Sequence, residues 1–153
     1  MGSGMLTTAR GATTHGLAEA VLRAQSALIA AATPDGLRAA AAAIEDAAAT
    51  TGCTALVPAS PSARGAVAAA VLLSEGRLTQ ADDGGVLQGA VWKVLVVEVA
   101  AVSGLRVRRC VASLRGAGAA WIGLVVLHDE APDGPGTGEQ THRFGPVDHL
   151  LVR

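Results

Sequence analysis

Glu98, Ser103, Gly104 and Arg106 stand close together in residues 93–109, KVLVVEVAAVSGLRVRR. Their types suit the binding of a sugar phosphate. A carboxylate accepts hydrogen bonds from hydroxyl groups. A turn of small residues leading into a helix turns free backbone N–H groups and the positive end of the helix dipole toward an anion. Each residue also has a plainer reading. Glu98 is either a ligand group or a solvated carboxylate paired with an arginine, and Ser103 either lines a phosphate cradle or caps the helix. Arg106 either reaches into the cradle or is a solvated first-turn residue. A cation there opposes the helix dipole, and a bound anion supplies a reason for it. Ser60, Pro61, Ser62 and Arg64 form a second group, in TALVPASPSAR. They either hold a pyrophosphate or cap the helix that follows, with capping favoured.

The surrounding pattern supplies the elements that must position these residues. Val94, Leu95, Val96 and Val97 form an apolar run without alternation, which suits a central parallel strand covered on both faces. Glu98 then stands at the strand end, on the sheet edge where open α/β folds bind ligands. Val107, Cys110, Val111 and Leu114 recur at helical spacing, Gly116 and Gly118 can end the helix, and residues 121–127 give a second strand. This is a strand–helix–strand unit. Upstream, helical spacing covers residues 14–32. Thr33 and Pro34 then start a helix that Gly52 ends. Residues 55–57 read as a strand, 63–73 as a helix, 132–138 (PDGPGTG) as a loop, and the tail from 147 to 153 as an edge strand. The fold class is α/β, one domain over residues 5–153, with Met1–Gly4 read as residues added before a native start at Met5, not as a signal sequence.

Residues 93–109 resemble the PRPP-binding signature of type I phosphoribosyltransferases, and the chain as a whole is most like orotate phosphoribosyltransferase. Four apolar residues precede an acid at Glu98, and a hydroxylated loop is centred on Ser103 and Gly104. Two departures stand out. Val99 occupies the position of the family's second acid, and Arg106 that of a small hydroxyl residue. TALVPASPSAR resembles the family's strand and pyrophosphate-binding turn, and residues 77–85, RLTQADDGG, fall where its relatives carry a mobile catalytic loop. There Arg77 is the one cation, beside Asp82 and Asp83.

The resemblance implies a mostly parallel central sheet flanked by helices, with a reduced hood. It implies a substrate site of Glu98, Ala101, Val102, Ser103, Gly104, Leu105 and Arg106, with Ser60, Pro61, Ser62 and Arg64. Glu98 and Arg77 would be the catalytic residues. Mg²⁺ would accompany PRPP in an active enzyme, and no resident metal is expected. Three functions follow: a degenerate transferase that binds a phosphorylated ribose or nucleotide with weak or no turnover, an active nucleobase phosphoribosyltransferase of altered specificity, or a regulatory partner subunit. The expected assembly is a homodimer or a pairing with a paralogue. Arg106→Glu or Gly104→Val is expected to remove phosphate binding and leave the fold intact.

Composition narrows the classes further. At 153 residues and 50% hydrophobic, the chain can bury a real core. Aromatic residues are 2% and the net charge is −1, so neither a base-stacking platform nor a basic field for nucleic acid or anionic lipid exists. Charged residues interrupt every long apolar stretch, which argues against a membrane span, and the cytoplasm is the expected compartment. Cys53 and Cys110 lack a CxxC or histidine partner and read as inert thiols. His15, His128, His142 and His149 are scattered, and Asp129–Glu130 reads as a loop charge pair. The turn after the signature strand has no GxGxxG, which sets a dinucleotide site aside.

Overall fold

A computed structural model of the chain describes residues 3–81, 93–130 and 143–152, with side chains from Gly16 onward. Its elements are α1 (Ser3–Ala31), α2 (Pro34–Thr51), β1 (Ala55–Pro58), a 3-10 turn (Pro61–Ala63), α3 (Arg64–Leu73), β2 (Thr79–Gln80), β3 (Lys93–Ala101), α4 (Leu105–Gly116), β4 (Trp121–Asp129) and β5 (His149–Val152). The strands form one sheet in the order β2-β1-β3-β4-β5, and every pair is parallel. The architecture is α/β, compatible with a Rossmann-like doubly wound sheet.

Local signals explain most of these boundaries. Thr33 caps α2, its side chain accepting from the Gly36 N–H at 3.1 Å, with Pro34 in the first turn. Gly52 closes α2 in the left-handed conformation at φ 70°. The alanine-rich face of α2 (Ala40, Ala41, Ala47, Ala48) and that of α3 (Ala66, Ala70) bury against Leu56, Leu95, Val97 and Val99 on one side of the sheet. On the other side Val107, Val111 and Leu114 of α4, with Phe144, cover Val57, Val94, Val96, Ile122 and Leu124. Small helix residues let helix and sheet approach closely, so the core needs few aromatics. Among the described residues Phe144 is the largest of the fully buried side chains.

Several boundaries differ from the sequence reading. Helix α1 begins at Ser3, well ahead of residue 14. The two-residue strand β2 carries no periodicity to detect. Strand β3 continues past Val97 to Ala101, because β4 pairs with it as far as Asp129. The tail does add an edge strand, paired in parallel with β4. Residues 82–92 and 131–142 lie outside the described residues, and with them Asp82, Asp83, Gly84 and Gly85 of the catalytic-loop match, His142 and the PDGPGTG loop. Among the described residues no single helix is long and apolar enough to cross a membrane; α1 and α2 meet that test only jointly, bent by 97° at their junction.

Candidate functional site

The chain leaves β1 for β2 in one direction across the sheet and β3 for β4 in the other. The two crossovers therefore diverge between β1 and β3 and open a crevice at the carboxyl ends of these strands, the usual ligand position in such sheets. Its floor follows from unequal strand lengths. Strand β1 ends at Pro58, level with Val97, and the Ala59 N–H makes one more bond to Val97 O at 2.9 Å. Beyond that point β3 runs on without β1, and Glu98 is the first residue past the junction.

A cavity of about 280 Å³ occupies this crevice. Ser60 and Ser62 line it from the β1 side, Glu98 and residues 100–107 from the β3 side, and Val21, Ala24, Gln25 and Leu28 of α1 from the mouth. The two groups singled out from sequence thus converge: Glu98, Ala101, Val102, Ser103, Gly104, Leu105 and Arg106 share one space with Ser60 and Ser62. Pro61 and Arg64 follow Ser60 on the exposed turn and do not line it.

Glu98 sits inside β3, paired with Val126, and is only 3% exposed. Its Oε1 accepts from Ser60 Oγ at 2.8 Å and from the Val99 N–H at 3.0 Å. Burial pushes the carboxyl pKa up, opposed by these two hydrogen bonds and by the Arg106 charge. This differs from a solvated strand-end carboxylate: alternation along β3 turns Glu98 to the Val94–Val96 face, while Val99 packs into the opposite core beside α2. Ser60 does not cap the helix after it. Its side chain makes no capping bond and is committed to Glu98.

The raised pKa has a consequence for stability. Folding holds the Glu98 proton more tightly than the unfolded chain does, so this residue's contribution is present below the unfolded carboxyl pKa. It is lost as pH rises through the higher folded value. Glu98→Gln keeps an acceptor for Ser60 and Val99 without the buried charge. We expect denaturant-unfolding curves at several pH values to show the variant gaining on the parent as pH rises through that window; a constant difference contradicts the assignment.

The turn before α4 is built around Gly104, whose φ of 77° lies in the left-handed region. A Cβ on Gly104 would stand 3.0 Å from Arg143 Cγ, 3.1 Å from Arg143 O and 3.1 Å from Phe144 Cδ1. Gly104→Val therefore disturbs packing as well as the turn, and does not leave the fold intact. Ser103 Oγ accepts from the Leu105 N–H at 3.3 Å, and the Arg108 N–H goes to Gly104 O at 2.9 Å. The N–H groups of Arg106 and Val107 remain without a hydrogen-bond partner among the described residues, and both residues line the cavity. Two donors at a helix start beside an exposed arginine are what an incoming anion requires.

Arg143 holds this turn in place, and nothing in the local sequence points to it. Its guanidinium donates to Val102 O and to Asp129 Oδ1 and lies 4.9 Å from the centre of the Phe144 ring, and its carbonyl accepts from Arg108 Nε at 3.1 Å. Asp129 is almost wholly buried, its side chain 2% exposed. Helix α1 is fastened over the same edge. Arg23 Nε donates to Glu130 at 2.9 and 3.0 Å, and His128 Nε2 lies 2.7 Å from Glu130 Oε1. The His128 contact, together with Arg23, holds the Glu130 carboxyl below its ordinary pKa. Asp129 and Glu130 are thus each engaged in ion pairs; against the loop-charge reading, Asp129 is the last residue of β4 and its carboxylate is buried, because pairing with β3 carries the strand that far.

Arg77 is not part of this site. It lies at the opposite, amino edge of the sheet beside Cys53 and Thr54, 3.7 Å from Glu45, with its Nε donating to Ser74 O at 3.0 Å. The reason is topological: Arg77 precedes β2, so it stands where that strand starts. Cys53 is buried, with its thiol pKa raised by burial, Cys110 is half-buried, and the two do not form a disulfide. His149 stacks on Trp121 with ring centroids 6.5 Å apart. Among the described residues no group of three or more His, Cys, Asp or Glu is placed to hold a metal ion. No family model matches the chain, and no curated protein matches it.

Proposed function

We propose that the chain binds a phosphorylated ribose or a nucleotide at the carboxyl edge of its sheet, as a phosphoribosyltransferase-like protein with weak or no transferase activity. One observation carries the reading: a buried carboxylate and a glycine turn with open helix N–H groups face the same cavity of about 280 Å³. The phosphate would take the Arg106 and Val107 N–H groups and the Arg106 side chain, while hydroxyl groups donate to Glu98.

Turnover asks for more than binding. Phosphoribosyl transfer develops positive charge on the ribose and negative charge on departing pyrophosphate, and preorganised groups must stabilise both. Val99 is packed in the apolar core and gives no second carboxylate, and Arg77 is at the far edge. Among the described residues Glu98 is the one carboxylate lining the cavity, so Mg²⁺ would be held chiefly by the ligand's own phosphates with Glu98 beside it, and would supply charge neutralisation there. Calorimetry with ribose 5-phosphate and nucleoside monophosphates, with and without Mg²⁺, is expected to show binding. Pyrophosphate release from PRPP with any nucleobase is expected to stay near background; rapid Mg²⁺-dependent release favours the active enzyme instead.

A non-catalytic partner subunit is the second reading. Leu17, Leu22 and Ile29 of α1 are 56%, 62% and 72% exposed, and that helix is where a homodimer or a paralogous subunit would seat.

A further inference from the structure

We infer that helix α1 is a lid over the cavity, pivoting at the Ala32–Thr33 break and latched shut by Arg23 on Glu130. Such a lid governs access to the site proposed above, and its role rests on that reading.

The hold on α1 weakens from its C-terminal end outward. Near that end Leu28 and Ala31 pack against the core. Thr33 Oγ1 donates to Ala30 O at 2.7 Å and accepts from the Gly36 N–H at 3.1 Å. Gly36 lies so close that a Cβ there would stand 1.9 Å from Ala30 O. Helices α1 and α2 meet at 97° around this fixed point. Further out the grip thins. Between Gly16 and Ala27 only Ala20 and Ala24 are buried, while Leu17 and Leu22 stay more than half exposed. Two methyl groups bury little apolar area, so seating this stretch gains little free energy. On the other flank of the helix is a hollow of about 370 Å³, lined by Ala27, Ala30 and Ala31 with Ala40 and Ala43 of α2. Helix α1 therefore stands between two open spaces, with room to shift and few packed atoms to lose.

The latch acts on this lightly seated stretch. Arg23 Nε donates to both Glu130 oxygens, at 3.0 and 2.9 Å. Glu130 is itself fixed to the sheet: its N–H bonds Ala101 O at 2.9 Å, and His128 Nε2 stands 2.7 Å from Oε1. The Glu130 side chain is 11% exposed and that of Arg23 is 55% exposed. The carboxylate thus belongs to the frame and the guanidinium to the moving part. Val21, Ala24, Gln25 and Leu28 form the mouth of the cavity, and Arg23 does not line it. Releasing Arg23 therefore frees the residues that close the mouth and leaves the groups inside untouched.

The test is a thiol placed under the lid. Ala20→Cys puts one on the buried face of α1, one turn before Ala24 and outside the cavity lining. Its alkylation rate in the free protein, read by mass spectrometry of that peptide, reports how often α1 lifts. Adding Arg23→Ala removes one ion pair near the surface and is expected to speed this labelling about fivefold. Labelling of Cys53 in the core should not change, which separates lifting from unfolding. In NMR exchange measurements with ribose 5-phosphate, Arg23→Ala alone should raise association and dissociation rates together and leave affinity nearly unchanged. Labelling that ignores Arg23, or ligand rates that do not rise together, overturns the inference, and α1 is then a fixed wall. If ribose 5-phosphate binds neither protein, the binding reading fails, and the labelling ratio alone decides whether α1 lifts.

Discussion

Arg106→Glu is expected to abolish binding of a phosphorylated ribose while leaving the fold unharmed. A charge-assisted hydrogen bond to a phosphate contributes about 1.5–3 kcal/mol. Reversal removes that bond and adds repulsion, so affinity should fall by about 100-fold or more. Arg106 is exposed on the first turn of α4, and an acid there suits the helix dipole better than arginine does. The melting temperature should therefore hold or rise slightly as binding disappears, a combination that unfolding cannot mimic. The change also removes the positive charge that now lowers the Glu98 pKa, so Glu98 should become harder still to ionise. Retained affinity in calorimetry would mean that the anion, if any, sits elsewhere.

The second large effect is structural. Arg143→Ala strips the buried Asp129 carboxylate of its partner and frees Val102 O at the head of the turn. Removing one member of a buried ion pair typically costs about 3–5 kcal/mol, because the other charge stays desolvated. For a chain of this length the melting temperature should drop by about 10 °C. Ligand affinity should fall as well, since Arg143 is what positions the turn. The double variant Arg143→Ala/Asp129→Asn separates the two consequences. Neutralising the carboxyl should recover much of the stability by denaturant titration, whereas affinity should remain low. Full recovery of both would mean that Arg143 matters only as a counter-ion.

These residues also show how far the sequence could be read. Short-range signals were sound: Thr33, Pro34 and Gly52 mark the ends of α2, and the unbroken valine run marks a strand buried on both faces. The small-residue turn before α4 was legible for the same reason, since its chemistry lies within a few consecutive residues. What failed depended on pairing at a distance. Ser60 precedes a proline at a helix start, a pattern typical of caps, yet its partner is Glu98 in another strand. Glu98 looked like a strand end because a charge interrupts the apolar run; pairing with β4 carries the strand past it. Arg143 anchors Val102 from 41 residues along the chain, and no spacing rule connects them. Arg77 enters only through its place in a motif match, and the topology sets it at the amino edge of the sheet, away from the cavity.

The central claim is that the turn from Val102 to Arg106 receives the ligand's anion, and amide NMR tests it most directly. Titrating ribose 5-phosphate into ¹⁵N-labelled protein should move the N–H signals of Arg106 and Val107 most, with smaller shifts at Ser103, Gly104 and Leu105. The amides of Cys53, Thr54 and Arg77 at the amino edge should stay put. Saturating ligand that leaves the Arg106 and Val107 signals unmoved, or that moves only the amino edge, contradicts the account.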